Sequence, residues 1–234
     1  MPKNKLQRFE ELKSFPNTFQ YLHFERGNDL QLKGKWNKEC FKNNNPIVLE
    51  LGCGKAEYTI GLGEKYPNKN FIGVDLKGAR IWRGAKTALE KNLSNVAFLR
   101  SQIDFIEYCF AKDEVSEIWI TFPDPQKEKA RKRLTHPLFL NRYKNILRQN
   151  GNIHLKTDNV ELHEFTLETI SPSPPLPKGK GDNSFKLLYA TKDLYGSDPL
   201  SLGEGWGEAT EIKTYYEKQF LDRGVKITYI KFRF

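Results

Sequence analysis

Cysteine is scarce in this chain. Three residues in 234, Cys40, Cys53 and Cys109, are too few and too widely spaced for a disulfide framework or a metal-ligand pattern. An odd, unpatterned set reads as reduced thiols in a cytosolic protein. Long apolar runs are missing too. Nothing approaches the roughly 20 residues a membrane-spanning helix needs, so no membrane partner is expected. The N-terminal MPKNKLQRFEELKSF is basic but lacks the apolar stretch of roughly 7–15 residues that marks a secretory signal, which points to a cytoplasmic protein. Hydrophobic residues make up 38% of the chain, enough at this length to bury a substantial core, so wholesale disorder is excluded.

What the chain has in excess is positive charge: 38 Lys and Arg against 29 Asp and Glu, a formal net charge of +9. Such a field attracts polyanions, nucleic acid first among them. Length alone allows one large domain or two small ones.

From residue 46 onward short β-like runs alternate with helical patterns. Strands are predicted at 47–51, 70–75, 96–100, 116–122 and 152–156, with helices following each of the first four, the last over 136–149 and capped by Asn150-Gly151. On the predicted helix 78–91, Ile81, Ala85, Ala88 and Leu89 share the face that would pack on the sheet, with Arg80, Arg83 and Lys86 opposite. This order predicts an α/β, Rossmann-like fold: a mostly parallel seven-stranded sheet with helices on both faces. FKLLYATKDL (185–194) and VKITYIKFRF (225–234) would complete it as an antiparallel pair around a helix near 211–222. SPSPPLPKGKGDN (171–183) places four of the twelve prolines within six positions, and SLGEGWGEA (201–209) is glycine-rich; both read as loop insertions. Residues 1–45 read as a basic N-terminal extension to a domain spanning 46–234.

The first strand ends in Glu50-Leu51-Gly52-Cys53-Gly54, at the edge where open α/β sheets bind ligands. Gly52 and Gly54 allow a tight turn and a close approach of backbone to ligand. A dinucleotide fingerprint would need glycine at 57, where Glu57 stands and would repel a pyrophosphate. A phosphate-free cationic ligand suits this acid-flanked turn better, and S-adenosylmethionine has that chemistry. Asp75, ending the second strand 21 residues after Gly54, is placed to accept ribose hydroxyls. Without a ligand, Glu50 would be a plain strand end and Asp75 an N-cap. Cys53 has no histidine near it in sequence and reads as packing.

The fourth predicted strand runs into Thr121-Phe122-Pro123-Asp124-Pro125, where two prolines stiffen the turn around one aspartate. QKEKARKR (126–133) follows, with five basic groups and one acid.

LELGCGKAEY (49–58), FIGVDLK (71–77), WITFPDPQ (119–126), RLTHPLFL (133–140), GNIHLKTDN (151–159) and IKTYYEKQF (212–220) together resemble the bacterial tRNA (guanine-N7)-methyltransferase family, from about residue 46 to the end. The resemblance implies the class I S-adenosylmethionine-dependent methyltransferase fold, with tRNA as substrate and guanine 46 of the variable loop as target. It implies that Glu50, Gly52, Gly54 and Asp75 hold S-adenosylmethionine. Asp124 would be the catalytic residue, at the junction of cofactor and guanine. Lys127, Asp158, Thr214 and Glu217 would contact tRNA. The place of the adenine-reading acid falls on Gln102, with Asp104 two residues later as the alternative; Lys129 is the alternative to Lys127. Gln126-Lys127-Glu128-Lys129 departs from the tryptophan and proline many members carry after the Asp-Pro pair.

Guanine N7 carries an in-plane lone pair and no proton at neutral pH, so its methylation needs no general base. The absence of a nucleophile–base pair or metal cluster from the sequence agrees with this, and no metal is expected. His136 and His154 read as structural. Asp124 and Asp158 would stabilise the cationic product, and the 127–133 loop, Lys3, Lys5, Arg8, Lys13, Arg80 and Arg83 would meet tRNA phosphates. Both a monomer and a homodimer fit. The rival readings are a methyltransferase acting on another substrate and a non-catalytic RNA-binding protein on the same core.

Overall fold

The computed structural model describes residues 3–171, 185–197 and 206–234. Eight strands form one sheet: β1 (Thr18–Tyr21), β2 (Ile47–Leu51), β3 (Asn70–Asp75), β4 (Val96–Ser101), β5 (Val115–Thr121), β6 (Leu147–Thr157), β7 (Lys186–Thr191) and β8 (Thr228–Arg233), in the order β1-β4-β3-β2-β5-β6-β8-β7. The first six pair in parallel; β8 runs antiparallel to both β6 and β7. Among the described residues the α-helices are α1 (Lys3–Ser14), α2 (Glu57–Lys65), α3 (Gly78–Glu90), α4 (Ile106–Cys109), α5 (Pro137–Ile146), α6 (Val160–Ile170), α7 (Trp206–Glu211) and α8 (Tyr215–Asp222).

Period-2 alternation on two covered faces explains the core. Along β2, Ile47, Leu49 and Leu51 point into one apolar layer with Ile106, Leu140 and Leu162 of α4, α5 and α6. Val48 points into the other, with Leu12, Ile60 and Ile81 of α1, α2 and α3. Glu50 shares the second face with Val48, an acid where a hydrophobe would otherwise stand.

The sheet has one strand more than the seven expected. The addition, β1, comes from the segment read as an N-terminal extension and pairs with β4 from Thr18↔Phe98 to Tyr21↔Ser101. A strand of four residues, Thr18-Phe19-Gln20-Tyr21, is too short to leave much alternation to read. Ahead of it, α1 docks on α3: Leu12 is buried, worth roughly 1.5–3 kcal/mol, and the Trp82 indole N–H donates to Glu11 at 2.7 Å.

Three further expectations change. The fifth helix stops at Ile146, and the strand begins at once with Leu147. Asn150 does adopt the left-handed conformation (φ 62°), but inside β6, where Val115↔Leu147 gives way to Glu117↔Asn152. This is a bulge, and it needs Gly151, because a Cβ there would sit 2.6 Å from Leu147 and 2.9 Å from the Ser116 carbonyl. Leu89, expected on the buried face of α3, is 36% exposed, whereas Ile81, Ala85 and Ala88 are buried. Finally, 206–209, read as loop, open α7, and the helix expected near 211–222 is split between α7 and α8. The remaining parts of the two expected insertions, 172–183 and 201–205, lie outside the described residues.

Strand order reverses between β2 and β5, so their carboxyl ends diverge into helices on opposite sides and leave a crevice.

Candidate active site

Glu50 stands at that crevice, 4% exposed. Its carboxylate accepts the Thr59 amide at 2.9 Å, the Thr59 hydroxyl, and the Thr121 hydroxyl at 2.6 Å. One side chain thus ties the ends of β2 and β5 to the first turn of α2. Burial pushes its carboxyl up to about 7, against the hydrogen bonds from Thr121 and Thr59, with the nearby Asp75 adding to the rise. A group so poised gains most from a cationic partner.

Beyond Leu51 the chain turns through Gly52 (φ 80°) and Gly54 (φ 57°), left-handed conformations that favour glycine. The Gly52 and Cys53 amides both donate to the Val74 carbonyl, and the Gly54 amide to Asp75 Oδ2 at 2.9 Å. Asp75 Oδ1 accepts the Lys77 amide at 2.8 Å. Each oxygen of Asp75 therefore has one lone pair committed and one to offer.

Two cavities flank this turn and share Gly52. The first is lined by Glu50, Gly54, Thr121 and Phe122, with Thr214, Tyr215 and Tyr216 across from them. The second is lined by Asp75, Gln102 and Asp104 together with Leu76, Ile103 and the Gln126, Arg131 and Lys132 side of the basic loop. Both alternatives for the adenine-reading position, Gln102 and Asp104, thus face one pocket.

The other expected residues are distributed differently. Asp124 is exposed and lines neither of these two cavities; its Oδ1 accepts the Gln126 amide at 3.0 Å, two residues past Phe122. Lys127 and Lys129 are exposed on the same loop. Asp158 is half-buried just past β6, and burial raises its carboxyl above the usual range. Thr214 lines the first cavity while capping α8, its hydroxyl accepting the Glu217 amide at 3.2 Å. Glu217 is fully enclosed: Lys156 Nζ lies 2.7 Å and the Tyr195 hydroxyl 2.5 Å from its carboxylate. Arg133, expected among the phosphate contacts, is 5% exposed; it donates to the Pro125 carbonyl at 3.0 Å, pairs with Glu161 and stacks over Phe165.

Several contributors are illegible in sequence. Phe122 is left-handed (φ 46°), unusual for a bulky side chain, and this aims the chain into the Asp124 turn. Lys156, inside the KTDN motif, is buried and anchors α7 through the carbonyls of Ala209 and Ile212. Glu57 accepts the Tyr215 amide at 2.5 Å, latching α8 over the first cavity. Among the described residues no group of three or more His, Cys, Asp or Glu could hold a metal, and no helix is long and apolar enough to cross a membrane.

The site's surroundings agree with what this chain is similar to. A family model described as "Putative methyltransferase" matches residues 44–186. A protein of Christiangramia forsetii named tRNA (guanine-N(7)-)-methyltransferase is 52% identical, covering 99% of this chain and 98% of its own length. One of Bacteroides fragilis with the same name is 49% identical over 99% of this chain and 86% of its own. Among solved structures, the 16S rRNA methyltransferase KamB aligns with a TM-score of 0.58 over 83% of this chain and 90% of its own, at 13% identity, a likeness of fold. With the glycine turn, the switch-point cavities and near full-length identity in agreement, the chain belongs to the tRNA (guanine-N7)-methyltransferase family.

Proposed function

We propose that this chain transfers a methyl group from S-adenosylmethionine to N7 of a guanine in tRNA, position 46 of the variable loop. The observation that carries the reading is the Gly52 turn with Glu50 in the cavity on one side and Asp75 in that on the other. Relatives across the whole chain length bear the name of this activity.

The donor set fits S-adenosylmethionine. Asp75 has lone pairs to offer ribose hydroxyls, Leu76 and Ile103 present apolar surface beside Gln102 and Asp104, and Glu50 offers a buried carboxylate to a cationic amino group. The positive φ at Gly52 and Gly54 leaves backbone, not Cβ, on the surface between them. When bound, S-adenosylmethionine supplies a methyl carbon activated by its sulfonium, and the sulfur keeps the electron pair of the broken C–S bond. The lone pair of N7 forms the new bond; no proton moves.

The chain's work is therefore holding and charge stabilisation. Thr121, Phe122 and the Thr214–Tyr216 segment wall the first cavity and limit where a guanine can sit, a positional contribution worth several kcal/mol. Asp124, on the stiff turn past Phe122, supplies negative charge for a ring turning cationic, with Asp158 beyond the neighbouring strand doing the same. Lys127 and the exposed loop cations meet tRNA phosphates, and Glu217 acts by holding Thr214 rather than by touching RNA.

The test is incubation with methyl-labelled S-adenosylmethionine and unmodified bulk tRNA, followed by nucleoside analysis. Label in 7-methylguanosine, mapped to position 46, is the expected result. Label in another nucleoside, or none in tRNA, overturns the reading.

A further inference from the structure

A second feature of the surface is a groove between α1, the start of α2 and α3, which the glycine turn does not use. Arg8, Lys55, Arg80 and Arg83 line it from three different helices or their caps, and Trp82 forms part of its wall. All four cations are exposed, and none forms an ion pair among the described residues. None of the four pairs with Glu57, the carboxylate that shares the groove and accepts the Tyr215 amide, so all four stay open to another anion. The groove is built, not incidental: Leu12 is buried, the Trp82 indole bonds Glu11, and the Trp82 ring carries Arg8 at 4.8 Å and Lys86 at 5.1 Å. It is also continuous with the first cavity, because Lys55, Glu57 and Arg80 line both.

We propose that this groove is a phosphodiester-binding channel that holds the tRNA backbone next to the methylated guanine and leads that nucleotide into the cavity of Glu50 and Thr214. The inference rests on tRNA being the substrate. The channel also accounts for α1, which by packing on α3 brings Arg8 opposite Arg83 and gives the groove its second bank. A single-stranded segment suits the channel, since its backbone can follow the guanidinium groups on both banks.

Arg8 and Arg83 line the groove but not the cavity of Glu50, so R8Q/R83Q tests the groove apart from the site. Lys38 and Lys112, exposed near the starts of β2 and β5 at the opposite end of the sheet, give a control of equal charge, K38Q/K112Q. Binding of unmodified tRNA is measured against salt concentration. The groove variant is expected to bind at least about tenfold more weakly at 0.1 M salt, with the log–log salt slope smaller by about 1.4–1.8, as for two lost phosphate contacts. The control is expected to stay near wild type, and S-adenosylmethionine affinity and thermal midpoint to hold in both. R83Q alone, at an exposed side chain outside the α1–α3 packing, is expected to lose about half the slope change, which covers any loosening of α1 in the double variant. An unchanged slope in the groove variants, or an equal loss in the control, overturns the channel while leaving the methylation reading intact. Conversely, wild-type protein that binds tRNA through these arginines yet forms no 7-methylguanosine overturns that reading and leaves the channel standing.

Discussion

The Lys156 ammonium lies 2.7 Å from the Glu217 carboxylate, and neither side chain is exposed to solvent at all. Burial lowers the lysine's pKa, and Glu217 works against that. The pair joins the last parallel strand to α8, and through the Thr214–Glu217 cap it fixes the residue that walls the first cavity. Three parts of the chain distant in sequence, Lys156, Tyr195 and the Ala209–Glu217 stretch, meet there.

Removing one partner leaves the other charge buried and unmatched. Lys156→Ala or Glu217→Ala is expected to lower unfolding free energy by about 3–5 kcal/mol, read from denaturant titration. Replacing both with apolar residues of similar volume should recover most of that loss, because the desolvation cost disappears with the charges. A loss under about 1 kcal/mol in either single variant would show that the pair does not anchor α8.

Glu50 makes the protein's stability depend on pH in a direction unusual for a carboxylate. Its folded-state pKa, about 7, lies above the ordinary glutamate value of 4.5, so between these values the folded chain holds more protons than the unfolded one. This contribution is complete below about pH 4.5 and is lost as pH rises through 7, worth on the order of 3 kcal/mol at about 1.4 kcal/mol per tenfold. Glu50→Gln should remove that slope and be the more stable protein at pH 8 without ligand. S-adenosylmethionine affinity should rise with pH through 7 in wild type only. Parallel stability curves for the two proteins from pH 4.5 to 8 would contradict this.

The basic loop separates into two kinds of cation. Arg133 is an internal brace, so Arg133→Ala should cost about 2–4 kcal/mol of stability through the lost Pro125 and Glu161 bonds and the Phe165 stack. Arg131 and Lys132 are exposed; R131Q/K132Q should leave the thermal midpoint within a degree or two while lowering the salt slope of tRNA binding by about 1–2. Equal destabilisation by both variants would refute the division.

The parallel core was legible because strand and helix periods differ and each element carries its own signal: IVLEL, NFIGVD and VAFLR read as strands without help from the rest of the chain. The glycine turn was legible for the same local reason. Glu217 was not, since TxYE shows an acid one turn into a helix but not the lysine 61 positions earlier that encloses it. Arg133 sits in a run of charges that reads as solvated, and only the fold brings Phe165 under its guanidinium. Likewise the left-handed Phe122 leaves no mark in the sequence, because phenylalanine is not a residue from which that backbone is inferred.

Asp124 carries the sharpest test of the chemistry. Its Oδ1 closes a turn onto the Gln126 amide, so Asp124→Ala should lose that bond, about 0.5–1.5 kcal/mol of stability. Asp124→Asn keeps an oxygen for the amide and removes only the charge. Since the guanine becomes cationic as N7 bonds to the methyl carbon, both variants should reduce single-turnover methyl transfer by about 10²–10³-fold at saturating tRNA and S-adenosylmethionine. The thermal midpoint of the asparagine variant should stay at the wild-type value. Near-native turnover in that variant would mean that the aspartate only shapes the turn past Phe122, and the charge facing the guanine would then have to come from Asp158.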